Sequence, residues 1–499
     1  MLIPKLERDS PIPIYRQICE SVILMADGGT LAPGERLPPT RVLARALGVH
    51  RSTVVRAYSE LWALGYLESR PGSYSTVRRR ARALTRTEAP RGTLIDWEAA
   101  ATPVARAARE LTVRLMREQA PPERPDVIDF SQLAPDRSLA PVEAFRRCLK
   151  AVLVEQGPEL LDYGDSAGYR PLRETIARRL RTHGITVGAD ELVITNGAQQ
   201  AIDLVLRLLT RPGDRIAVEA PTYGLALALF RLCGLEVQQI PMGPEGMDLA
   251  ALKKRLERQR PALVYTIPNF HNPTGITTGQ GHRERLLELC ESRRVPILED
   301  GFEEEMKYFG KAVLPIKSMD SRGVVIYVGT FSKVLFPGLR LGWVAAPPEC
   351  SLRLVALQRA SCIAGNTPAQ AALDRFCELG LYEEHLRRIH KVYRARMQAA
   401  LQGLREHLPP GVEWTQPAGG YTLWLRLPGS PIGEPALQGR LLRGGVKLAP
   451  GRLFFETAPA APQFRLSVSC VTEGEIREGC RRLGQALAEI IASPDPARA

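Results

Sequence analysis

The chain has no C-x-x-C pair: its nine cysteines stand apart at 19, 148, 233, 290, 350, 362, 377, 470 and 480. An odd, scattered set fits reduced thiols in a cytosolic protein and argues against a zinc site. No uninterrupted apolar run reaches the ~18 residues of a membrane span, and the N-terminus lacks a charged region followed by an apolar stretch and a cleavage site. Nothing directs the chain to or through a membrane, so a cytoplasmic location is expected. Internal repeats and low-complexity tracts are missing as well. What is present is length and basic charge. At 499 residues, two or more domains are expected. The net charge of +13 is uneven, because residues 1–91 carry 15 Lys/Arg against 8 Asp/Glu, a net +7 in under a fifth of the chain. A compact basic terminus suggests a nucleic-acid partner; a solvated basic face is the alternative.

Apolar residues at helical spacing (Ile14, Ile18, Val22) predict a first helix that stops at Asp27-Gly-Gly29. A second is expected over Thr40 to Leu47, ended by Gly48, and a third from His50-Arg-Ser-Thr53 to Gly65. Two short helices across a tight Gly-containing turn make a helix-turn-helix, and 66–70 with 74–77 around Pro71-Gly-Ser73 read as a hairpin wing. Residues 78–126, with Arg78-Arg-Arg80, an Ala/Arg-rich helical stretch near 104–118 and Pro121-Pro122, read as a linker. Beyond it, short apolar strands at 192–195, 215–219, 263–267, 296–299 and 324–328 alternate with helical patterns, which predicts a mostly parallel sheet covered by helices. From about residue 380 a smaller α+β lobe follows. The expected domains are 1–77, linker 78–126, 127–490 and a tail 491–499.

Lys333, in Thr330-Phe-Ser-Lys333 with Arg340 downstream, carries the most specific signal. A lysine amine bonds an aldehyde when the fold lowers its pKa, and neighbouring hydroxyl and guanidinium donors suit a phosphate dianion. Other turns follow other strands. Asn196-Gly-Ala-Gln199 opens a helix and fits either an anion site or a plain strand–helix connection. Tyr223 is placed to stack on a pyridine ring or to pack in the core. Asn272, in Asn269-Phe-His-Asn-Pro-Thr-Gly275, is placed to donate to a phenolate or to cap a turn. Asp300 suits either a pyridinium partner or a cap. Five such turns at the C-terminal ends of strands mark the edge at which open parallel sheets bind ligands.

On these motifs residues 128 to about 490 resemble a fold-type I aminotransferase that uses pyridoxal phosphate. Residues 11–77 resemble a winged helix-turn-helix of the GntR type, through Pro13-Ile-Tyr-Arg-Gln17, Leu31-Ala-Pro-Gly-Glu-Arg-Leu-Pro38, Leu47-Gly-Val-His-Arg51 and Gly65-Tyr66-Leu67. Fused in this order, they resemble the MocR/GabR family of pyridoxal-phosphate-dependent bacterial transcription regulators. The resemblance implies an α/β body, with a large parallel-sheet domain and a small α+β domain, behind a DNA-binding domain. It also implies that Lys333 carries the internal aldimine, Asp300 pairs with the ring nitrogen, Tyr223 stacks on the ring and Asn272 meets the phenolate. Ala198, Gln199, Thr330, Ser332 and Arg340 would hold the phosphate, with Tyr163 reaching in from the second subunit of a homodimer. Arg465, in Gln463-Phe-Arg-Leu-Ser467, matches the arginine that binds an amino acid's carboxylate.

The family's tyrosine two residues after the aspartate is Phe302 here, so a phenolate donor is missing and weaker transaminase chemistry is expected. Asn272-Pro-Thr-Gly275 and Gly419-Gly-Tyr-Thr-Leu-Trp424 point the other way, toward true aminotransferases. For DNA, the third helix would present Arg51, Ser52, Thr53 and Arg56 to the major groove. By resemblance Arg41 also approaches the duplex, and Gly72 sits at the wing tip. The expected function is a DNA-binding regulator whose body senses pyridoxal phosphate, or an amine or amino acid, through aldimine exchange. The competing one is an active aminotransferase with an accessory DNA-binding domain.

Overall fold

In the computed structural model, residues 6–68, 74–78 and 94–492 are described. They form two compact units, Met1–Ala101 and Thr102–Ala499. The first is built on α1 (Ile14–Asp27), α2 (Thr40–Leu47) and α3 (Arg51–Ala63), with a hairpin of β1 (Leu67–Glu68) and β2 (Thr76–Val77) and a short α4 (Trp97–Ala100). Ile18 and Val22 of α1, Leu43 and Leu47 of α2, and Val54, Ala57 and Leu61 of α3 close on one another, sealed by Leu67 and Val77. Their three- and four-residue spacing puts one face of each helix inward. Gly48 ends α2 at φ +63°, a left-handed conformation that glycine takes without steric cost and that turns the chain straight into α3. His50 caps α3, its ring nitrogen accepting the Ser52 N–H at 3.4 Å. Leu67 lies opposite Val77 across the hairpin, while the expected tip with Gly72 falls outside the described residues.

The second unit opens with α5 (Pro103–Gln119), β3 (Ile128–Asp129), α6 (Val142–Gln156) and α7 (Arg170–Thr182). Its eight-stranded sheet comprises β4 (Leu192–Thr195), β5 (Arg215–Ala220), β6 (Glu236–Gly243), β7 (Gly246–Met247), β8 (Leu263–Thr266), β9 (Ile297–Asp300), β10 (Val325–Thr330) and β11 (Gly342–Ala345). The spatial order is β4-β11-β10-β9-β8-β5-β6-β7. Strands β10, β9, β8, β5 and β6 run parallel, and β11 is antiparallel to both neighbours. Alternation along the strands divides two cores. Val218, Leu298 and Val328 face α8 (Ala198–Leu209) and α9 (Gly224–Leu232), while Ala217, Val264, Ile297 and Val325 face α10 (Leu249–Arg258) and α11 (Gln280–Arg293). A sheet buried on both faces needs near-continuous apolar strands, which these are.

Helices α12 (Pro348–Cys362), α13 (Thr367–Glu378) and the long α14 (Leu381–His407) lead into the smaller lobe. There β12 (Glu413–Trp414), β13 (Thr422–Arg426), α15 (Glu434–Arg443), β14 (Val446–Lys447), β15 (Ala449–Pro450), β16 (Gln463–Ser467) and α16 (Glu473–Ala492) follow. Its sheet has the order β12-β13-β16-β15, and β14 pairs with β3. The stretch expected as linker, 78–126, differs from that expectation in its second half. Helix α5 falls in the second unit because Glu118 is held by Arg452 at 2.5 Å and Gln438 at 3.3 Å, and Lys447 Nζ donates to the Ala120 carbonyl. At the other end α16 runs to Ala492, into the expected tail.

Candidate functional site

The strands β4, β5, β8, β9 and β10 all end at one edge of the sheet, and the turns that leave them line a cavity of about 370 Å³. Ala198, Gln199, Tyr223, Asn272, Asp300, Thr330, Ser332, Lys333, Arg340 and Arg465 all line it. Ten residues expected from scattered motifs thus share one space.

The start of α8 supplies an anion cradle. Gly197 precedes it at φ +81°, and a Cβ there would stand 2.9 Å from the Arg340 guanidinium, so only glycine leaves the space open. Arg340 Nη2 donates to the Asn196 carbonyl at 2.6 Å, which fixes the guanidinium beside the helix start. Ser332 N–H donates to Thr330 Oγ1 at 3.1 Å, and the two hydroxyls lie 3.1 Å apart. Backbone N–H groups at the helix start, two hydroxyls and a guanidinium make a donor set suited to a phosphate dianion.

Asp300 ends β9 and is buried; the Tyr265 hydroxyl donates to its Oδ2 at 2.7 Å, and Oδ1 has no partner among the described residues. Burial pushes its carboxyl up to about 6, opposed by the Tyr265 bond. A protonated ring nitrogen at Oδ1 would satisfy that oxygen and hold the carboxylate ionised. Lys333 Nζ donates to the Leu133 carbonyl at 2.7 Å. Burial lowers its proton affinity, opposed chiefly by Glu303. Arg465 is buried on β16, with Nη1 on Asn272 Oδ1 at 3.0 Å and Nη2 on the Ser131 carbonyl at 2.8 Å. Its guanidinium is lowered to about 10 by burial, against the attraction of Glu303, and its Nε has no partner among the described residues. Asn272, expected at the phenolate, thus has its oxygen committed to Arg465 and its amide nitrogen left for a ligand. Unpartnered atoms on Asp300, Gln199 and Arg465, together with the Gly197 cradle, fit pyridoxal phosphate bearing an amino acid.

Phe302 lines the cavity with its ring, so no hydroxyl enters from this turn. Tyr163 is not brought into the cavity of its own chain; it is 82 % exposed. Several contributors escaped sequence reasoning: Tyr265, the segment 131–134, Leu115 and Glu118 of α5, and Glu303. The run Glu303-Glu-Glu305 directly after a buried strand was the available signal for the last.

In the first unit Arg41, Arg51, Ser52 and Arg56 are exposed and Thr53 is half-buried. Ser52 Oγ lies 2.6 Å from the capping His50 ring, and the Arg56 guanidinium stacks 4.0 Å from the Tyr15 ring centroid. Both side chains are therefore partly engaged within the fold, whereas Arg51, exposed at the start of α3, has no such partner among the described residues.

Residues 125–483 match the family model "Aminotransferase class I and II", and residues 14–77 match "Bacterial regulatory proteins, gntR family". The "Probable rhizopine catabolism regulatory protein MocR" of Rhizobium meliloti is 31 % identical over 98 % of this chain and 96 % of its own length. The chain belongs to the MocR-type regulators. Its MocR-type body is also 38 % identical to an aromatic-amino-acid aminotransferase of Thermococcus litoralis, over 74 % of this chain and 89 % of that protein. The solved structure of LysN, an α-aminoadipate aminotransferase of Thermus thermophilus complexed with N-(5'-phosphopyridoxyl)-L-leucine, superposes with a TM-score of 0.72 at 34 % identity, covering 80 % of this chain and all of that one. Pyridoxal phosphate is the cofactor this family implies, and the cavity fits it. No described helix is long and apolar enough to cross a membrane.

Proposed function

We propose that the chain is a homodimeric, DNA-binding transcription regulator whose body takes pyridoxal phosphate on Lys333 and senses the cofactor, or an amine or amino acid that displaces the lysine. The observation that carries this is the meeting of Lys333, Asp300 and Arg465 in one cavity at the C-terminal edge of the sheet. Bound there, the cofactor would supply an aldehyde for amines and a ring that accepts electrons. Lys333, which burial makes readier to give up its proton than a solvated lysine, would serve as the anchor. Asp300 would keep the ring nitrogen protonated. Thr330, Ser332, Arg340 and the start of α8 would hold the phosphate, Tyr223 would cover the ring, and Arg465 would take the ligand carboxylate. Exposed Tyr163 would complete the partner's site. In the first unit Arg41, Arg51, Ser52, Thr53 and Arg56 would meet the duplex, Arg51 reading a base.

Exchange of the lysine for a ligand amine removes a covalent tether from the cleft. A ligand that prefers one arrangement of the lobes then shifts the population of the regulator. A second reading, an active aminotransferase, is favoured by the complete Lys333–Asp300–Arg465 set and the likeness to catalysts; turnover with a 2-oxo acid would decide it.

The test of the first reading is anisotropy binding of the full chain to DNA upstream of its own gene, with and without pyridoxal phosphate, repeated with Lys333→Ala. Salt-sensitive binding that responds to the cofactor only when Lys333 is present is expected. A response that persists in Lys333→Ala would overturn the lysine as sensor.

A further inference from the structure

Glu303 is a buried acid to which the reading above gives no task. It is 1 % exposed, and it does not belong to the cavity lining. Its Oε2 accepts the Tyr421 N–H at 3.2 Å, and Oε1 has no partner among the described residues. The Tyr421 hydroxyl in turn donates to the backbone carbonyl of Lys333 at 2.6 Å, so one tyrosine bridges the acid and the lysine's own backbone. Gly420, at φ +71°, permits the approach: a Cβ there would stand 2.6 Å from Glu303 Oε2.

Taking a carboxylate out of water costs several kcal/mol unless a counter-charge faces it. The charges acting on Glu303 are Lys333 and Arg465, which attract, and Asp300, which repels; the hydroxyl-bearing rings of Tyr308 and Tyr421 lie within its field. Arg465 donates Nη1 to Asn272 Oδ1 and Nη2 to the Ser131 carbonyl, both neutral acceptors. Asp300 has Tyr265 on one oxygen, and its other has no partner among the described residues. The strongest attraction on Glu303 is that of Lys333 and the strongest on Lys333 is that of Glu303, and Tyr421 links the acid to the lysine's backbone. Phe302, one residue earlier, brings no hydroxyl into the cavity.

We propose that Glu303 is the counter-charge of Lys333, a positioning residue that keeps a proton on the lysine nitrogen both when it holds the cofactor and when a ligand has displaced it. The inference rests on Lys333 as anchor. In the exchange, the Lys333 nitrogen–carbon bond breaks as the ligand nitrogen–carbon bond forms. Two of the three hydrogens on the ligand's ammonium group would pass to the Lys333 nitrogen, which with the one it already carries would leave as an ammonium group within the attraction of Glu303; no oxidant or further reactant enters.

The experiment compares wild type, Glu303→Gln, Glu303→Asp and Lys333→Ala as full-length proteins. One readout is the pH midpoint of the visible band of the bound cofactor. The other, on cofactor-free protein, is the pH dependence of the rate of pyridoxal phosphate uptake. Loss of the carboxylate removes the charge that favours the protonated nitrogen, so in Glu303→Gln both profiles move to lower pH by about one unit or more. Glu303→Asp restores them at least in part, which a merely structural role would not do. Profiles of a folded Glu303→Gln that overlay wild type would overturn the inference, and if Glu303→Gln fails to melt cooperatively, profiles of a folded Glu303→Ala that overlay wild type would do so. A visible band of the bound cofactor that survives unchanged in Lys333→Ala would instead overturn the anchor itself.

Discussion

The two units place their chemistry in opposite ways. In the first, the described interior is built from hydrophobic side chains of three neighbouring helices and a hairpin, and Arg41, Arg51, Ser52 and Arg56, expected to meet DNA, are exposed on its surface. In the second, charged groups lie inside: Asp300, Glu303 and Arg465 are buried, brought together from positions up to 165 residues apart. A surface reader needs only a stable scaffold, because its side chains are solvated in either state. A buried site needs every charge matched by another, because unpaired charges in a low-dielectric interior are costly. Changes in the first unit should therefore act through folding or through single contacts, and changes in the second through proton affinity.

The strongest break in the comparison would come from the scaffold. Leu61 is fully buried in the first unit, and Leu61→Ala should cost about 2–5 kcal/mol, a large part of the stability of so small a core. Operator binding is expected to collapse while the visible band of the bound cofactor stays intact. Loss of the band too, in a calorimetric and absorbance comparison, would show that the units do not fold independently. A single contact should weigh less. Arg51→Ala is expected to weaken operator binding by about 1–3 kcal/mol if the guanidinium reads a base, and an unchanged dissociation constant would remove it from that role. The smallest change belongs to Phe302→Tyr. A hydroxyl donated to the cofactor's phenolate draws charge away from the neighbouring nitrogen, so the visible titration should move to lower pH, by about one unit or less. A titration that matched wild type would count against the missing hydroxyl as the cause of any perturbed midpoint.

The local elements were legible because each is specified by neighbours in sequence. Helix α2 spans Thr40–Leu47 as its apolar spacing and Gly48 predict, and β4 spans Leu192–Thr195. The motif residues at the ends of strands were legible too, since glycine, asparagine and proline turns after apolar runs have few other uses. Helix α5 shows the limit. Its Ala/Arg-rich pattern announces a helix, but whether that helix belongs to a tether or to the body depends on Glu118 meeting Arg452, more than 300 residues away.

By itself the sequence determined the two-part plan, the alternation of strands and helices, and the side chains that a phosphate, a ring and a carboxylate require. It could do so because those signals depend on spacing and on residue type. Only the tertiary structure decided which charges face one another. Glu303 is indistinguishable in sequence from Glu304 and Glu305, yet Glu305 is held low, to about 2, by His183 and Arg179 against its burial, while burial pushes Glu303 up beside Lys333. Proton affinity is set by the field at one point in space, and that field is summed over segments that only folding brings together.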